Sequence, residues 1–464
     1  MDAATHPLHN ELAAIVGGEN VIEDHDSLLS RYTQDKSPFP TIVPGIVVRP
    51  GTTQEISQVL ELANRTGTPV TARGGGFSLT GYLQSKESIV IDSKRMNRVL
   101  DIDEVNLTVT AECGIIMKDL HDACAERGYY VHTVGIPIAY TTLGGVLSGV
   151  QGGGYPVTMS VSGTDLNYLL GLKVVLPDGN VIATGAGGAN IHGKTDYLRG
   201  CNAPDLTGMF VGDGGCFGFK AQATLQIFPR PSSVDAGCWD FDCFDKVWSA
   251  MLRLTSMDTL PYENISVLEA NPLSLFYLTR ADDDERAKQL SKVIDAVCEE
   301  SGGTLASEDM QQYAVDIGVG DPDYQDIFIN VHRGLLAFMI GKREFPHAYA
   351  TIKQFLEDKI EERGLDDLDV SVMTYFSPVM RNAMYATMSI IFDEETDGGR
   401  EAALELQKEG YKLVVELGGS PEPHQGFASQ ANAQAWSPSY RNLMTNLKKM
   451  FDPNGIVNSG LWDL

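Results

Sequence analysis

The chain has 464 residues, too many for one ordinary core, and its 43% hydrophobic and 21% charged residues describe a soluble globular protein of two domains. Lys and Arg number 35 against 62 Asp and Glu, a formal net charge of -27 that argues against nucleic acid or an anionic membrane as partner while leaving room for an anionic substrate held by local cations. Seven cysteines with no C-x-x-C speak against a disulfide framework or a structural zinc. No apolar run is long enough to span a membrane and residues 1–6 carry no leader, so a cytoplasmic protein is expected.

Leu8, Leu12 and Ile15 set a helical spacing that Gly17 and Gly18 end, and Asp26 is placed to cap a second short helix carrying Leu28, Leu29 and Tyr32. Residues 45–50 form a β-branched strand candidate. Thr52 and Glu55 then fit a capping box, Ile56, Val59, Leu60 and Ala63 make a helical stripe, and Gly67 stops it. Residues 70–81 read as a strand running straight into a glycine-rich turn, with Arg73, Gly74, Gly75, Gly76, Phe77, Ser78, Thr80 and Gly81 in order. Consecutive glycines allow positive φ and close approach of backbone to a ligand, and successive N–H groups can form an anion nest. With the charge of Arg73 and two hydroxyls, the natural guest is a pyrophosphate. The order strand, helix, strand, glycine loop differs from the dinucleotide fingerprint, in which the glycines follow the first strand.

Residues 88–92 read as a buried strand, 99–103 and 107–112 as a hairpin turned at 104–106, and Ile116, Leu120 and Cys124 as a helix ending at Gly128, with a strand at 129–131. A second glycine-dense stretch covers 142–155, where so many glycines destabilise an isolated helix. It is read as backbone pressed on a flat ligand, or else as a helix packed closely on a sheet. Strands at 172–176 and 181–183 flank a turn at 177–180. A third cluster, 212–218, leads into an alternating strand at 223–228, and Pro229 and Pro231 mark a domain boundary near residue 231. Beyond it, helical patterns at 242–254, 287–298 and 348–360 and strands at 263–269, 334–341 and 369–375 lack βαβ regularity, which suggests an α+β unit. The acidic run at 282–285 reads as a solvated loop or helix start.

Val48-Arg49-Pro50, the 73–81 loop, 143–154, 163–179, 212–231 and the closing Phe451-Asp452-Pro453-Asn454-Gly455-Ile456-Val457-Asn458 together resemble the FAD-linked oxidoreductases of the vanillyl-alcohol oxidase type, including the glycolate oxidase and D-lactate dehydrogenase branch. The resemblance covers the first 231 residues and about the last forty. It implies an α+β chain: a two-part PCMH-type FAD-binding domain (1–231, its PCMH-type part from about residue 40, with a returning tail at 425–464) and an inserted antiparallel-sheet substrate domain (232–424). On that pattern Arg73, Gly74, Gly75, Gly76, Phe77, Ser78 and Gly81 hold the FAD pyrophosphate. Gly145, Ser148, Gly152 and Gly153 lie along the cofactor, with Asp165 and the backbone at Phe219 as further contacts. Relatives that attach FAD covalently through the first loop use a His where Phe77 stands here, so dissociable FAD is expected.

For chemistry, His424 stands where the 2-hydroxy-acid branch places a His–Gly element at the active site, and His suits proton transfer near neutral pH. Arg381, Arg333, Tyr375 and Tyr155 are candidates to bind a carboxylate or a phenolate. The stretch matching the upstream histidines of metal-dependent members, residues 381–389, holds none, so no metal is expected. The reading is an FAD-dependent oxidoreductase acting on the CH–OH group of a small 2-hydroxy acid or related alcohol. The alternatives are oxidation of a phenolic or other alcohol, and an electron-transfer flavoprotein subunit. The partners are a small-molecule substrate and an electron acceptor, oxygen, quinone or other. Homo-oligomerisation is left open.

Overall fold

The computed structural model describes residues 6–33, 37–39, 42–77, 87–131, 138–149, 168–188, 197–199, 204–269, 271–319, 333–380, 382–393, 396–422 and 426–464. The lead-in helix His9–Val16 ends at Gly17, with φ 85°. The second helix, His25–Tyr32, is capped by Asp24 and not by Asp26: the Asp24 carboxylate accepts the Ser27 N–H at 2.9 Å, and Asp26 falls in the first turn.

The first sheet has the order β1 (Val21–Ile22), β2 (Ile46–Val48), β4 (Ile89–Asp92), β3 (Val70–Arg73), with β2, β4 and β3 parallel. Parallel strands need a crossover, and the helix Thr53–Thr66 supplies it. Thr52 Oγ1 accepts the Glu55 N–H at 3.1 Å, the Glu55 carboxylate accepts the Gly51 N–H at 2.8 Å, and Gly67 closes the helix at φ 67°. Ile56, Val59, Leu60 and Ala63 pack on the sheet with Ile46, Val48, Ile89 and Ile91. The C-terminal tail joins this sheet beside β3: Val70 N–H donates to Ile456 O at 2.7 Å and Asn458 N–H to Val70 O at 3.0 Å.

The second sheet is antiparallel, ordered β5 (Val99–Asp103), β6 (Thr108–Glu112), β10 (Phe219–Gln226), β8 (Leu169–Val175), β9 (Val181–Ala183); β7 (Tyr129–Tyr130) and β11 (Phe228–Pro229) form a small ribbon. β10 begins four residues earlier than the alternation at 223–228 predicts. The reason is Lys220, which reads as polar but is buried against Asp213 at 2.6 Å and so belongs to the strand.

The third sheet has eight antiparallel strands: β12 (Ser233–Phe241), β13 (Asn264–Glu269), β14 (Leu273–Ala281), β15 (Thr304–Leu305), β16 (Arg333–Gly341), β17 (Ser371–Met380), β18 (Ala383–Ile391) and β19 (Ser420–Pro421). Their order is β15-β12-β14-β13-β17-β18-β16-β19. Helices Phe244–Thr255, Asp284–Glu300, Phe345–Glu362 and Gly399–Glu416 cover one face and share its core. The other face is covered over β12 and β14 by helix Glu308–Val319, and no described helix packs on it over β16 to β18. The expected antiparallel sheet flanked by helices is thus present; β12, β14 and β18 were not foreseen.

Candidate functional site

The three glycine clusters meet. β3 ends at Arg73 and the turn starts at Gly74. A Cβ added at Gly74 would strike Thr142 Oγ1, and one at Gly75 the Tyr140 carbonyl oxygen. Gly76, at φ 75°, would meet the Arg73 guanidinium. The turn therefore lies directly on the segment around residues 140–145, where Thr142 caps the short helix Leu143–Ser148. The end of that helix holds the third cluster: Gly212 N–H donates to Leu147 O and Gly214 N–H to Ser148 O, both at 2.9 Å. Gly75 and Gly145 are exposed on the joint surface. No described residue accepts from the N–H groups of Gly74, Gly75, Gly76 or Phe77, which leaves a row of donors suited to an anion.

Arg73, expected to lend its charge to the turn, is buried. Its side chain lies behind the turn, with the guanidinium 5.7 Å from the Tyr32 ring centroid and donating to Arg31 O at 3.3 Å. It adds positive potential from below. The Tyr32 hydroxyl donates to Asp92 at 2.9 Å, and burial followed by the Asp92 charge holds this phenol well above its ordinary value.

The third cluster is clamped by buried charge. Asp213 accepts from Lys220 at 2.6 Å and from Gly215 N–H at 2.8 Å. Lys448 donates to Asp452 at 2.7 Å, Val457 O at 2.8 Å and Cys216 O at 2.9 Å, and Asn458 Nδ2 donates to Gly214 O at 2.6 Å. Each buried cation has a carboxylate partner, which such burial requires.

A second group of candidate side chains comes from the third sheet. Alternation sends Leu336, Phe338, Ile340, Phe376, Met384, Ala386, Met388 and Ile390 into the helix-covered core. The residues between them face the other way: Arg333, Tyr375, Ser377, Tyr385 and Ser389. Tyr385 stands opposite Met339 on β16 and Ser377 on β17, and Tyr375 opposite Thr387. Arg333, Ser377, Tyr385 and Ser389 are buried on this face, as is Glu422, which follows β19. The Glu422 carboxylate accepts the Tyr385 hydroxyl at 3.1 Å, and its N–H donates to Ala337 O at 2.9 Å. Burial, then the Glu422 charge, keeps the Tyr385 phenol far above its ordinary value. Burial pushes the Tyr375 phenol up to about 12 and pulls Arg333 below its ordinary value. Buried polar side chains on one sheet face, with titrations displaced by burial and by one another, mark a place for chemistry.

The third sheet and the third glycine cluster share a cleft. Its volume is about 560 Å³, with Met339, Ser420 and Pro421 on one wall and Gly212, Asp213 and Phe217 of the third glycine cluster on the other.

Of the residues singled out by sequence, the structure brings Gly74, Gly75, Gly76, Phe77, Gly145 and Ser148 into the glycine surface, with Arg73 buried behind it, and Tyr375 and Arg333 onto the sheet face. The Phe219 side chain packs in the core of the first sheet, leaving only its backbone to serve a ligand. Ser78, Gly81, Gly152, Gly153, Tyr155, Asp165, Arg381 and His424 lie outside the described residues. Sequence reading missed Tyr385, Ser377, Ser389 and Glu422. The available signal was the alternation of Met384, Ala386, Met388 and Ile390, which puts Tyr385 and Ser389 on the opposite face.

Residues 44–185 match the family model of an FAD binding domain, and residues 343–461 that of the C-terminal domain of FAD linked oxidases. Over 234 residues, 49% of this chain, the sequence is 31% identical to the glycolate oxidase subunit GlcD of Bacillus subtilis, and the match spans about half of that relative, 46% of its length. It is 25% identical to the D-lactate dehydrogenase of Archaeoglobus fulgidus over 92% of this chain and 94% of the relative. The fold superposes on the crystal structure of p-cresol methylhydroxylase with substrate bound, with a TM-score of 0.82, 18% identity, and coverage of 98% of this chain and 96% of that one.

Proposed function

The chain belongs to the FAD-linked oxidoreductases, and from that premise we propose that it oxidises a 2-hydroxy acid to the 2-oxo acid. FAD is the cofactor; when bound, it supplies the hydride acceptor. The observation that carries the reading is the polar sheet face of Arg333, Tyr375, Tyr385 and Glu422, beside Met339, which lines a cleft shared with the third glycine cluster. The relatives named for glycolate oxidase and D-lactate dehydrogenase support the substrate class.

In this reading the turn from Arg73 to Ser78, with Gly81, holds the pyrophosphate on unshared N–H groups above the buried guanidinium. Gly145, Ser148, Gly152, Gly153, Asp165 and the backbone at Phe219 lie along the cofactor. The FAD-binding part comprises residues 1–231 with the tail 425–464, and the substrate part residues 232–424. Phe77 cannot form a covalent link, so the flavin dissociates. Arg333 and Arg381 hold the substrate carboxylate, as a guanidinium suits a planar anion. His424 takes the hydroxyl proton while the carbinol hydrogen leaves as hydride, and Tyr375 and Tyr385 orient the oxygen. No described helix is long and apolar enough to cross a membrane; a cytoplasmic location belongs to the proposal.

A second reading, oxidation of a phenolic alcohol, draws on the two tyrosines near Arg333, which would polarise a phenolate. Anaerobic mixing of the yellow protein with each class separates the two. Bleaching of the flavin band by 2-hydroxy acids and not by aryl alcohols supports the first reading; the reverse replaces it, and no bleaching by either leaves a non-enzymatic flavoprotein.

A further inference from the structure

The cleft between the sheet face and the third glycine cluster is larger than a lactate or glycolate needs. Its volume of about 560 Å³ lies within the ordinary range of small-molecule sites. Its lining is apolar and adaptable, led by Met209, Met339, Trp436, Tyr440, Met444 and Trp462; methionine fills irregular shapes and aromatic rings offer flat contact.

No Lys or Arg lines it among the described residues. The carboxylates present, Asp205 and Asp213, are paired with Arg199 at 2.9 Å and Lys220 at 2.6 Å. An anionic group placed here would find no Lys or Arg among the described lining residues. The cleft begins at Met339, the cross-strand partner of Tyr385 on the same face of the sheet. A molecule whose polar end reaches Tyr385 and Arg333 therefore has, among the described residues, an apolar cleft into which to extend.

We infer that this cleft receives the side chain of the substrate, and that the preferred substrate is a 2-hydroxy acid with a long alkyl or aryl substituent, not lactate, glycolate or a 2-hydroxy dicarboxylic acid. The inference rests on the proposed oxidation of 2-hydroxy acids and adds the part of the substrate that confers preference.

The test uses purified holoenzyme and flavin reduction by both enantiomers of lactate, 2-hydroxyoctanoate, 3-phenyllactate and 2-hydroxyglutarate. Each buried methylene is worth about fourfold. The kcat/KM for 2-hydroxyoctanoate is therefore expected to exceed that for lactate by at least about a hundredfold, with 2-hydroxyglutarate poorest. Met444→Trp, which fills the cleft, lowers the ratio of octanoate to lactate kcat/KM by at least tenfold with flavin content retained. Met444→Ala, which enlarges it, moves the optimum to a longer chain.

Comparable kcat/KM for lactate and 2-hydroxyoctanoate would sink the inference and leave the 2-hydroxy-acid reading standing. Loss of flavin from Met444→Trp, with the protein folded and Met444→Ala showing no shift in chain length, would give the cleft to the cofactor and also overturn it. Failure of every 2-hydroxy acid to reduce the flavin would remove the underlying reading and this inference with it.

Discussion

On the proposed function, the glycine surface and the polar sheet face would act through opposite parts of the chain. In the first, function belongs to backbone: Gly74 and Gly75 fit against Thr142 and Tyr140 because nothing projects from them, and the Gly74 to Phe77 N–H groups point at no described acceptor. In the second, the backbone is spent on the ladder of β16 to β18, and function belongs to every other side chain. A substitution in the first region should therefore act through shape and abolish cofactor binding. One in the second should act through chemistry and spare it.

The largest effect is expected at Gly75. In Gly75→Val the new side chain meets the Tyr140 carbonyl oxygen, which is backbone and cannot swing away. If the turn moves at a cost of about 3 kcal/mol, FAD affinity falls roughly a hundredfold. The variant should emerge from gel filtration with little flavin absorbance and an unchanged far-UV circular dichroism spectrum. Full flavin content would remove the first half of the comparison.

At the sheet face the effect is smaller and of another kind. Tyr385→Phe deletes a hydrogen bond to a buried carboxylate, a loss of about 1.5–3 kcal/mol. The kcat/KM should drop roughly ten- to a hundredfold with flavin content intact, and stopped-flow reduction reads both. Loss of flavin from this variant would mean that the two regions are not separable.

Alkaline pH offers a milder probe of the same face. The Tyr375 phenol is raised to about 12 by burial, and Tyr385 is raised as well. Below pH 10 these phenols are neutral in folded and unfolded chains alike. Above it the unfolded chain ionises first, so stability is present below about pH 10 and is lost as pH rises through the folded values. Urea unfolding at pH 9 and pH 11 should show a lower midpoint at the higher pH, with tyrosinate absorbance rising at the unfolding transition and not before it. Early ionisation would mean that the sheet face is wetter than its burial indicates.

The same contrast explains what could be read from sequence. Glycine is visible as a letter, so the clusters at 74–76, 144–154 and 212–218 stood out, and the crossover before the first was legible because Thr52, Glu55 and Gly67 punctuate it. The cap at Asp24 was missed because Asp26 is equally able to cap; only the start of the helix decides between them. On β16 to β18 the working face is written in Tyr, Ser and Met that alternate with core residues, and nothing local says which face the helices will cover. Lys220 was unreadable for a related reason: its partner Asp213 sits in another part of the motif, and a buried lysine looks like an exposed one until the pair is seen.

The smallest expected effect tests whether scaffold and ligand surface are distinct within the glycine half itself. Thr52 accepts the Glu55 N–H at 3.1 Å at the start of the crossover helix, and β3 and its turn lie beyond the far end of that helix. Replacing an N-cap threonine by alanine leaves one helix donor without its side-chain acceptor and costs about 1 kcal/mol. The helix is held mainly by its buried face of Ile56, Val59, Leu60 and Ala63, which the substitution does not touch, so the turn at Gly74 should keep its shape. Thr52→Ala should then lower the urea midpoint slightly and leave FAD affinity unchanged within twofold. A fall in affinity much beyond that would mean that the turn draws its geometry from the whole crossover unit and not from its seat on Thr142 and Tyr140.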